Sequence, residues 1–163
     1  MNDRNNIVLG ISDCIVSNNK EITLVTYSLG SCVGVTLYDP VNIIGGMIHC
    51  MLPLSTNDPE KAKNSPFMYV DTGMVLMLQK MFEMGAVKKN LICKITGCGT
   101  PLDDHGVFRI GERNYAIARK ILWKNDILIK GELIGGRSAK TMFLYMDSGK
   151  TTVRTDNKIV HEI

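Results

Sequence analysis

The sequence predicts an α+β fold in which helices pack on layered β-sheet. Short segments rich in β-branched residues recur along the chain, which is typical of strands. Two longer stretches instead place apolar residues at helical spacing, and glycine, proline, asparagine and aspartate separate the segments. Stacking these short strands and the two helices in layers buries their apolar faces. The 163 residues predict a single domain over residues 1–163, because domains usually contain about 100–150 residues.

The first half of the chain is expected to contain four strands before its first helix. They are predicted at residues 7–12, 21–27, 33–38 and 43–52. Polar residues 17–20 favour a hairpin between the first two strands. Asp39-Pro40 is a turn signal, so the third and fourth strands should also be neighbours. Residues 53–66 are rich in polar residues and proline without an apolar period, which predicts an exposed loop.

Two helices are expected from the spacing of apolar residues. The first is predicted over residues 70–84, with Asp71 near its start and Gly85 at its end. Its apolar face comprises Val70, Met74, Met77, Leu78, Met81 and Phe82. The second is predicted over residues 111–124. Its apolar face comprises Ala116, Ile117, Ile121 and Leu122.

Short strands are expected to complete the second half of the chain. They are predicted at residues 91–96, 127–134, 141–147, 151–155 and 158–163. The Ser-Gly pair at residues 148–149 is a hairpin turn signal. Residues 97–101, Gly-Cys-Gly-Thr-Pro, predict a loop because two glycines and a proline leave little to pack. Residues 135–137, Gly-Gly-Arg, lack the Lys-Ser/Thr ending of a phosphate loop and predict a turn between strands.

Composition and charge exclude several classes of protein. Apolar residues make up 45% of the chain and charged residues 21%, which excludes disordered and fibrous proteins. The net charge of +3 is scattered, so no basic stripe for nucleic acid is expected. Residues 1–6 are polar, and no apolar run reaches the roughly 20 residues that span a bilayer. We therefore expect no membrane insertion and a cytoplasmic location. The five cysteines are an odd number, so free thiols are expected.

The strongest local feature is the bend at residues 29–32, Leu-Gly-Ser-Cys, between two predicted strands. Gly30 allows close approach of a ligand, and consecutive N–H groups in such a bend can stabilise an oxyanion. His49 lies in the following strand, and hairpin pairing would bring it near Cys32. An imidazole beside a thiol is the base that a cysteine nucleophile needs. A structural turn with a buried cysteine is the common alternative.

Thr26 lies on the strand that leads into the bend. Its hydroxyl or carbonyl can fix the tautomer of His49 as a third member of the site, and a β-branched strand residue is the alternative. Cys50 adjoins His49, but neighbouring strand residues point to opposite faces, so Cys50 is expected in the core. Cys14 and Cys93 are expected to be buried and inert.

Cys98 is the rival nucleophile, because His105 follows it in the same glycine-containing loop. Asp103 and Asp104 lie between them. No rigid strand edge flanks this loop to hold an attack geometry, and Cys98 and His105 can simply face solvent. A zinc site from Cys93, Cys98 and His105 lacks a C-x-x-C pair and a fourth ligand. We therefore expect no metal and no cofactor.

The residues around Cys32 resemble the pattern of the chemoreceptor glutamine deamidases called CheD. That pattern is a threonine, then Leu-Gly-Ser-Cys, then a strand that ends in Asp-Pro, then a histidine followed by Met-Leu-Pro. It is matched at Thr26, residues 29–33, residues 38–40 and residues 49–53. The likeness extends to residues 69–72, 110–114, 135–136 and 147–149. It therefore covers nearly the whole chain.

The resemblance implies a catalytic triad of Cys32, His49 and Thr26. The implied fold is a three-layer α/β/β sandwich with two main helices on mixed β-sheet, similar to the catalytic domains of deamidating toxins. The implied reaction is hydrolysis of receptor glutamine amides to glutamate, with loss of ammonia through a thioester on Cys32. The implied substrates are chemoreceptor cytoplasmic helices, and the implied partner is a CheC-type phosphatase. A non-catalytic chemotaxis adaptor and a hydrolase of another amide are the alternatives.

The chain departs from the family pattern at three places. Tyr27-Ser28 replaces the usual Leu-Gly before the bend, so the entering strand can bend differently. Cys98 lies in a loop where two glycines and an alanine are common, and Lys140 stands where an arginine is usual. The last two are not expected to touch the triad, but they can alter the choice of substrate or partner.

Overall fold

The computed structural model describes residues 5–101 and 106–163, which form ten strands and three α-helices. The strands are β1 (Asn6–Val8), β2 (Asp13–Ser17), β3 (Thr23–Leu29), β4 (Val33–Asp39), β5 (Ile44–Cys50), β6 (Ile92–Gly97), β7 (Ile129–Ile134), β8 (Lys140–Tyr145), β9 (Thr151–Thr155) and β10 (Val160–Glu162). The helices are α1 (Pro59–Asn64), α2 (Val70–Met84) and α3 (Ile110–Lys124). Short 3-10 turns occur at Ser55–Asn57, Pro66–Met68 and Lys88–Asn90.

The strands form two five-stranded sheets. The central sheet has the order β2-β5-β4-β6-β7, and the outer sheet has the order β1-β3-β8-β9-β10. Both sheets are mixed, because β6 runs parallel to β7 and β1 parallel to β3, while the remaining pairs are antiparallel. Parallel neighbours need a crossover, and the path through β2 of the central sheet provides it between β1 and β3.

Two apolar clusters show how the layers stack. The helix-side cluster joins α2 and α3 to one face of the central sheet, through residues such as Met77, Leu122 and Val35. The inter-sheet cluster fills the space between the two sheets and includes Leu24 and Met47. Successive side chains of a strand point to opposite faces, so the central sheet contributes to both clusters. The layers are helices, central sheet and outer sheet, which confirms the predicted α/β/β sandwich.

The two main helices are confirmed, with corrections to their faces. α2 ends at Gly85, whose φ of 110° lies in the left-handed region that glycine adopts without strain. Phe82 and Ala116, predicted on the apolar faces, are exposed. The buried residues of α3 are Gly111, Asn114, Ala118 and Leu122. The buried stripe of α3 is therefore rotated relative to the prediction, because small residues let the helix lie close to the sheet.

The predicted hairpin between the first two strands is wrong. The segments predicted at residues 7–12 and 21–27 contain β1 and β3, which pair in parallel and so cannot form a hairpin. The chain turns at Ser12, whose φ is 63°, and β2 follows in the other sheet. The hairpin of β4 and β5 is confirmed. The predicted loop at residues 53–66 is wrong in part, because α1 forms there. Asp58 caps this helix by accepting a hydrogen bond from Lys61 N–H at 3.1 Å.

Two predicted turns agree with the structure. Gly149 has a φ of 76° between β8 and β9, which pair antiparallel. Residues 135–137 connect β7 of the central sheet to β8 of the outer sheet. None of the helices formed by residues 5–101 and 106–163 combines the length and apolar composition that crossing a bilayer requires.

Candidate active site

The bend at residues 30–32 lies between β3 of the outer sheet and β4 of the central sheet. Cys32 is half-buried and packs against the inter-sheet cluster. The carbonyl of Gly30 accepts a hydrogen bond from Gly99 N–H at 2.8 Å, and that of Cys32 accepts one from Cys98 N–H at 2.8 Å. These bonds tie the bend to the loop at residues 97–99. The backbone around Cys32 is therefore held in place by hydrogen bonds, and a reacting group needs such a fixed position.

His49 lies in β5 directly opposite Gly34 of β4. Opposed residues of an antiparallel pair point to the same side. Cys32 precedes β4 in the bend and packs against the inter-sheet cluster. The side that His49 and Gly34 share faces the outer sheet, because a side chain at Gly34 would meet Leu29 and Met142. The structure therefore brings the thiol and the imidazole to one face of the central sheet.

A hydrogen bond between the two sheets holds the imidazole of His49. Thr26 of β3 is fully buried, and its Oγ1 lies 2.7 Å from His49 Nδ1. The same hydroxyl donates to the carbonyl of Leu9 at 2.9 Å. Because a hydroxyl has one hydrogen, Thr26 Oγ1 must accept from Nδ1–H, which leaves Nε2 of the neutral ring unprotonated. Nε2 is buried and has no hydrogen-bond partner among residues 5–101 and 106–163.

Burial sets the charge state of both groups. It lowers the pKa of His49 to about 4, because the charged imidazolium is the form that burial disfavours. Burial also raises the pKa of the Cys32 thiol, and the N–H of its own backbone opposes part of this rise. The resting pair at neutral pH is therefore a neutral thiol and a neutral imidazole. Within the described residues no hydrogen bond joins Sγ to Nε2, and such contacts often tighten only when substrate binds.

The strand that leads into the bend contains a β-bulge. The register of β3 against β8 shifts between Thr26 and Leu29, where Tyr27 and Ser28 are exposed. Ser28 has a φ of 60°, in the left-handed region that favours glycine. The serine therefore carries backbone strain at this position.

The other four thiols are shielded from solvent and belong to the helix-side cluster. Cys50 and Cys93 are fully buried, while Cys98 is 6% exposed and Cys14 is 8% exposed. Burial raises the pKa of Cys14, Cys93 and Cys98 to about 12. The alternative in which Cys98 faces solvent is wrong. Positive φ angles of 89° at Gly97 and 55° at Cys98 turn the chain so that this side chain joins the helix-side cluster.

The rival dyad and the zinc site depend on residues that the structure does not describe. Asp103, Asp104 and His105 lie outside the described residues. Among residues 5–101 and 106–163, no three His, Cys, Asp or Glu side chains are grouped closely enough to hold a metal ion. Cys93 and Cys98, the described members of that set, are both buried on the helix side of the central sheet.

A cavity of about 710 Å³ opens beside the bulge. Its lining includes Tyr27, Ser28, Lys140, Arg154 and Lys158. Lys140 is 5% exposed, and its Nζ donates to the carbonyls of Gly135 at 2.5 Å and Ser138 at 3.3 Å. Burial lowers the pKa of this lysine. Lys140 therefore braces the turn between β7 and β8.

Comparison with known proteins assigns this architecture to a family. A model of the family described as CheD chemotactic sensory transduction matches residues 51–155. The probable chemoreceptor glutamine deamidase CheD 1 of Syntrophus aciditrophicus is 43% identical over 157 residues, which is 96% of this chain and 98% of that protein. The chain belongs to the CheD family.

Further CheD proteins match over a similar extent. The probable chemoreceptor glutamine deamidase CheD of Solibacter usitatus is 42% identical over 93% of this chain and 90% of its own length. Its counterpart in Pyrococcus horikoshii is 35% identical over 96% and 98%. The CheD resemblance of the sequence is therefore confirmed. The crystal structure of Bacillus licheniformis hypothetical protein YfiH covers 77% of this chain and 51% of its own at 15% identity with a TM-score of 0.47, too weak a likeness to carry an argument.

The three candidate catalytic residues precede the segment that the CheD family model matches. That segment begins at residue 51, after Thr26, Cys32 and His49. Their roles therefore stay predictions, supported by the geometry of the site.

The sequence does not predict the roles of Leu9 and Asn114. Leu9 supplies the carbonyl that orients the hydroxyl of Thr26. Asn114 of α3 bonds to backbone near both Cys32 and His49. Asn114 lies at helical spacing from the other buried residues of α3. A polar residue on the buried face of a helix is the feature of the sequence that could have indicated its role. Leu9 has no such signal, because the use of its carbonyl depends on the pairing of β1 with β3.

Proposed function

We propose that this chain is a protein-glutamine deamidase that hydrolyses glutamine side-chain amides on chemotaxis receptors to glutamate and ammonia. Cys32 is the nucleophile, His49 the base and Thr26 the residue that orients the imidazole. The bond between Thr26 and His49 carries this proposal, because it leaves Nε2 as a free base on the face that Cys32 shares. Relatives that match nearly the whole chain bear the name chemoreceptor glutamine deamidase, which supports the substrate class.

The first half of the reaction forms a thioester. Cys32 Sγ attacks the carboxamide carbon while His49 Nε2 takes the thiol proton, so no standing thiolate is needed. The imidazolium is a strong acid in this site, since burial lowers the pKa of His49 to about 4. It gives the proton to the amide nitrogen, the C–N bond breaks and ammonia leaves. Thr26 Oγ1 accepts from Nδ1–H throughout, which keeps the ring oriented.

Water completes the cycle. His49 Nε2 accepts a proton from water as the water oxygen attacks the thioester carbon. The tetrahedral intermediate collapses with cleavage of the C–S bond, and the sulfur of Cys32 recovers a proton from the imidazolium. The substrate side chain leaves as a carboxylic acid that ionises in water. The cycle consumes water, releases ammonia and returns both catalytic groups to their resting protonation states.

The bend also supplies donors for the oxyanion of the tetrahedral intermediates. The carbonyls of Gly30 and Ser31 are held by Gly99 N–H and by Asn114 Nδ2. The C=O and N–H of a trans peptide point in opposite directions, so the N–H groups of Ser31 and Cys32 point away from these contacts. They are the proposed oxyanion donors, and fixed donors of this kind stabilise developing charge.

The proposal extends to location, partner and domain organisation. The substrates are long helices of receptor cytoplasmic regions, so the enzyme acts in the cytoplasm with a rim that accepts a helix. A CheC-type phosphatase is the proposed regulatory partner. Residues 1–163 are proposed to act as a single domain. The support for these points is membership of the CheD family and the sequence resemblance.

Mass spectrometry of receptor cytoplasmic fragments tests the proposal. Incubation with the wild type should convert specific glutamines to glutamates, which shifts the mass of the peptides that contain them. Cys32→Ala should abolish the shift without lowering the melting temperature of the protein. A shift that survives in Cys32→Ala would remove Cys32 as the nucleophile. No shift with the wild type, together with normal chemotaxis in Cys32→Ala cells, would favour the non-catalytic adaptor.

A further inference from the structure

The buried face of α3 carries one polar side chain. Its buried residues are Gly111, Asn114, Ala118 and Leu122. Asn114 is fully buried, and burial of an amide is unfavourable unless protein hydrogen bonds replace those made with water. The other members of this face are small or apolar, so packing alone does not account for an asparagine.

Asn114 donates to the backbone on both sides of the candidate active site. Its Nδ2 donates to the carbonyl of Ser31 at 3.0 Å and to that of Met51 at 3.2 Å. Ser31 immediately precedes Cys32, and Met51 follows His49 by two residues. An amide nitrogen carries two hydrogens, and two carbonyls accept them here. One side chain therefore links the nucleophile's bend to the end of the strand that carries the base.

The bond to Ser31 fixes the peptide plane that precedes Cys32. The carbonyls on either side of it, at Gly30 and Cys32, are held by the backbone N–H groups of Gly99 and Cys98. The carbonyl between them is held by a side chain, so a single substitution can release it. Release lets this peptide rotate, and rotation moves both the N–H and the Cα–Cβ bond of Cys32.

The remaining polar atom of Asn114, Oδ1, has no hydrogen-bond partner within the part of the chain that the structure describes. This oxygen is buried. An unpartnered buried acceptor destabilises a fold. Residues that lower stability in this way are expected at functional sites, where the function requires them. An apolar side chain would avoid that cost. The amide therefore fits a role in site geometry better than a role in stability.

We infer that Asn114 is a positioning residue that sets the separation of Cys32 Sγ from His49 Nε2. It does so by holding the bend and the strand end to the same helix. It touches neither the reacting atoms nor the substrate. The inference rests on the proposed function for the identity of the pair that is positioned.

The first test compares Asn114→Ala with the matched control Asn125→Ala. Asn125 follows the last residue of α3, and its Nδ2 donates to the carbonyl of Ile121 at 2.8 Å. In deamidation of receptor fragments, Asn114→Ala should lower kcat about 10- to 100-fold with KM within about twofold, because small misplacements of reacting groups slow chemistry strongly. Asn125→Ala should change kcat less than about twofold. Asn114→Leu removes the unpartnered acceptor, and it should lower kcat even where the melting temperature is restored.

Asn114→Asp gives a pH signature that a purely structural role would not produce. An ionised carboxylate cannot donate a hydrogen bond, whereas a protonated one donates one. The kcat of this variant relative to wild type should therefore rise as the pH falls from about 8 to about 5, since burial favours the neutral carboxyl. His49, with a pKa of about 4, stays neutral over this range. A flat ratio, or equal losses in Asn114→Ala and Asn125→Ala, would overturn the inference.

Alkylation of Cys32 by iodoacetamide separates this inference from the proposed function, because it needs no receptor. In an otherwise wild-type protein, His49→Ala should slow alkylation of Cys32, since the imidazole no longer accepts the thiol proton. In the Asn114→Ala background the effect of His49→Ala should shrink at least about threefold. An effect of equal size in both backgrounds would overturn the positioning role alone. No effect in the wild-type background would overturn the role of His49 as base, and the positioning role with it. A wild type that leaves receptors unchanged but shows the coupling would overturn only the proposed substrate.

Discussion

Residues 30–32 and 97–99 form two adjacent bends, each with a cysteine near glycine, joined by backbone hydrogen bonds. Cys32 packs against the inter-sheet cluster and is half-buried. Cys98 belongs to the helix-side cluster and is 6% exposed. The same residue type in a similar local setting therefore faces a different layer of the fold.

The layer decides what each thiol can do. The space between the sheets holds the ring of His49 and the hydroxyl of Thr26, so Cys32 has an oriented, neutral imidazole on its own side of the central sheet. The helix side offers Cys98 apolar neighbours, and burial raises its pKa to about 12. Its thiolate is therefore scarce at neutral pH. If the face of the central sheet decides the behaviour of the two thiols, variants at the two bends should differ in activity and in reactivity.

The largest expected effect is on turnover by the nucleophile. Cys32→Ser keeps the size of the side chain but replaces the thiol by a poor nucleophile, so kcat for deamidation should fall at least about 1,000-fold. Cys98→Ala should keep kcat within about threefold of wild type, because the bend at residues 97–99 is held by its backbone. Steady-state assays on receptor fragments measure both. Comparable losses in the two variants would contradict the assignment of roles by layer.

The next effect concerns the orientation of the base. Thr26→Val keeps the shape and removes the acceptor of Nδ1–H, so kcat should fall about 10- to 100-fold. Thr26→Ser should retain most of the activity, because it keeps a hydroxyl.

Thr36→Val is the matched control for this prediction. Thr36 Oγ1 lies 3.2 Å from Thr151 Oγ1 and likewise connects the two sheets, but within the described residues it makes no hydrogen bond to the imidazole. Its kcat should stay within about twofold of wild type. A loss in Thr36→Val as large as in Thr26→Val would mean that sheet docking, not tautomer control, explains both.

Thiol labelling should separate the two bends by a smaller factor. Cys32 should react with iodoacetamide at least about tenfold faster than Cys98 in the folded protein, because reactivity follows accessibility and thiolate formation. Peptide mapping after timed labelling gives both rate constants. Labelling after unfolding in denaturant should bring the rates together, and equal rates in the native protein would contradict the contrast in burial.

The pH profile should show the effect of burial on the base. Burial lowers the pKa of His49 from 6.5 to about 4, and the protonated ring cannot accept a proton. Activity is therefore present above this pKa and lost as the pH falls through it, so kcat/KM should change less than about twofold between about pH 8 and about pH 6.

The same depressed pKa of His49 affects stability. Between about pH 6.5 and about pH 4 the unfolded chain binds a proton at His49 that the folded chain does not, so the free energy of unfolding should decrease as the pH falls. Chemical denaturation across this range measures it. In the activity profile, a loss of kcat/KM with its midpoint near pH 6.5, the ordinary pKa of histidine, would contradict the burial of the His49 ring.

The smallest expected effect lies in the bulge beside the bend. Ser28 has a φ of 60°, and Ser28→Gly removes the strain of a left-handed serine while adding flexibility to the unfolded chain. The net result should be a gain of up to about 1 kcal/mol in the free energy of unfolding. Urea denaturation measures it, and Ser31→Gly serves as the comparison at a neighbouring position. A loss of stability in Ser28→Gly would contradict the assignment of strain.

Local patterns in the sequence predict the elements that carry the site. The periodicity of residues 70–84 gives α2, and the Asp39-Pro40 turn gives the pairing of β4 with β5. That pairing is enough to predict that Cys32 and His49 come together. These features are predictable because they depend on neighbours within one helix or one hairpin.

Contacts between distant segments are not predictable from such patterns. Residues 7–12 and 13–17 separate into different sheets because of a turn at Ser12, and Cys98 is buried because its bend faces α3. The use of Asn114 depends on where α3 crosses two strand ends. Each of these follows from packing between layers, which a local pattern does not encode.

The short edge strand β1 helps to set which ring nitrogen of His49 carries the proton. The carbonyl of Leu9, just beyond β1, takes the only hydrogen of the Thr26 hydroxyl. If this edge were peeled away by a fusion, a trim or a binding partner, the hydroxyl would rotate and the imidazole would be free to adopt either tautomer. If His49 is the base, as proposed, displacing the edge of the outer sheet should therefore lower turnover without any change at Cys32 itself.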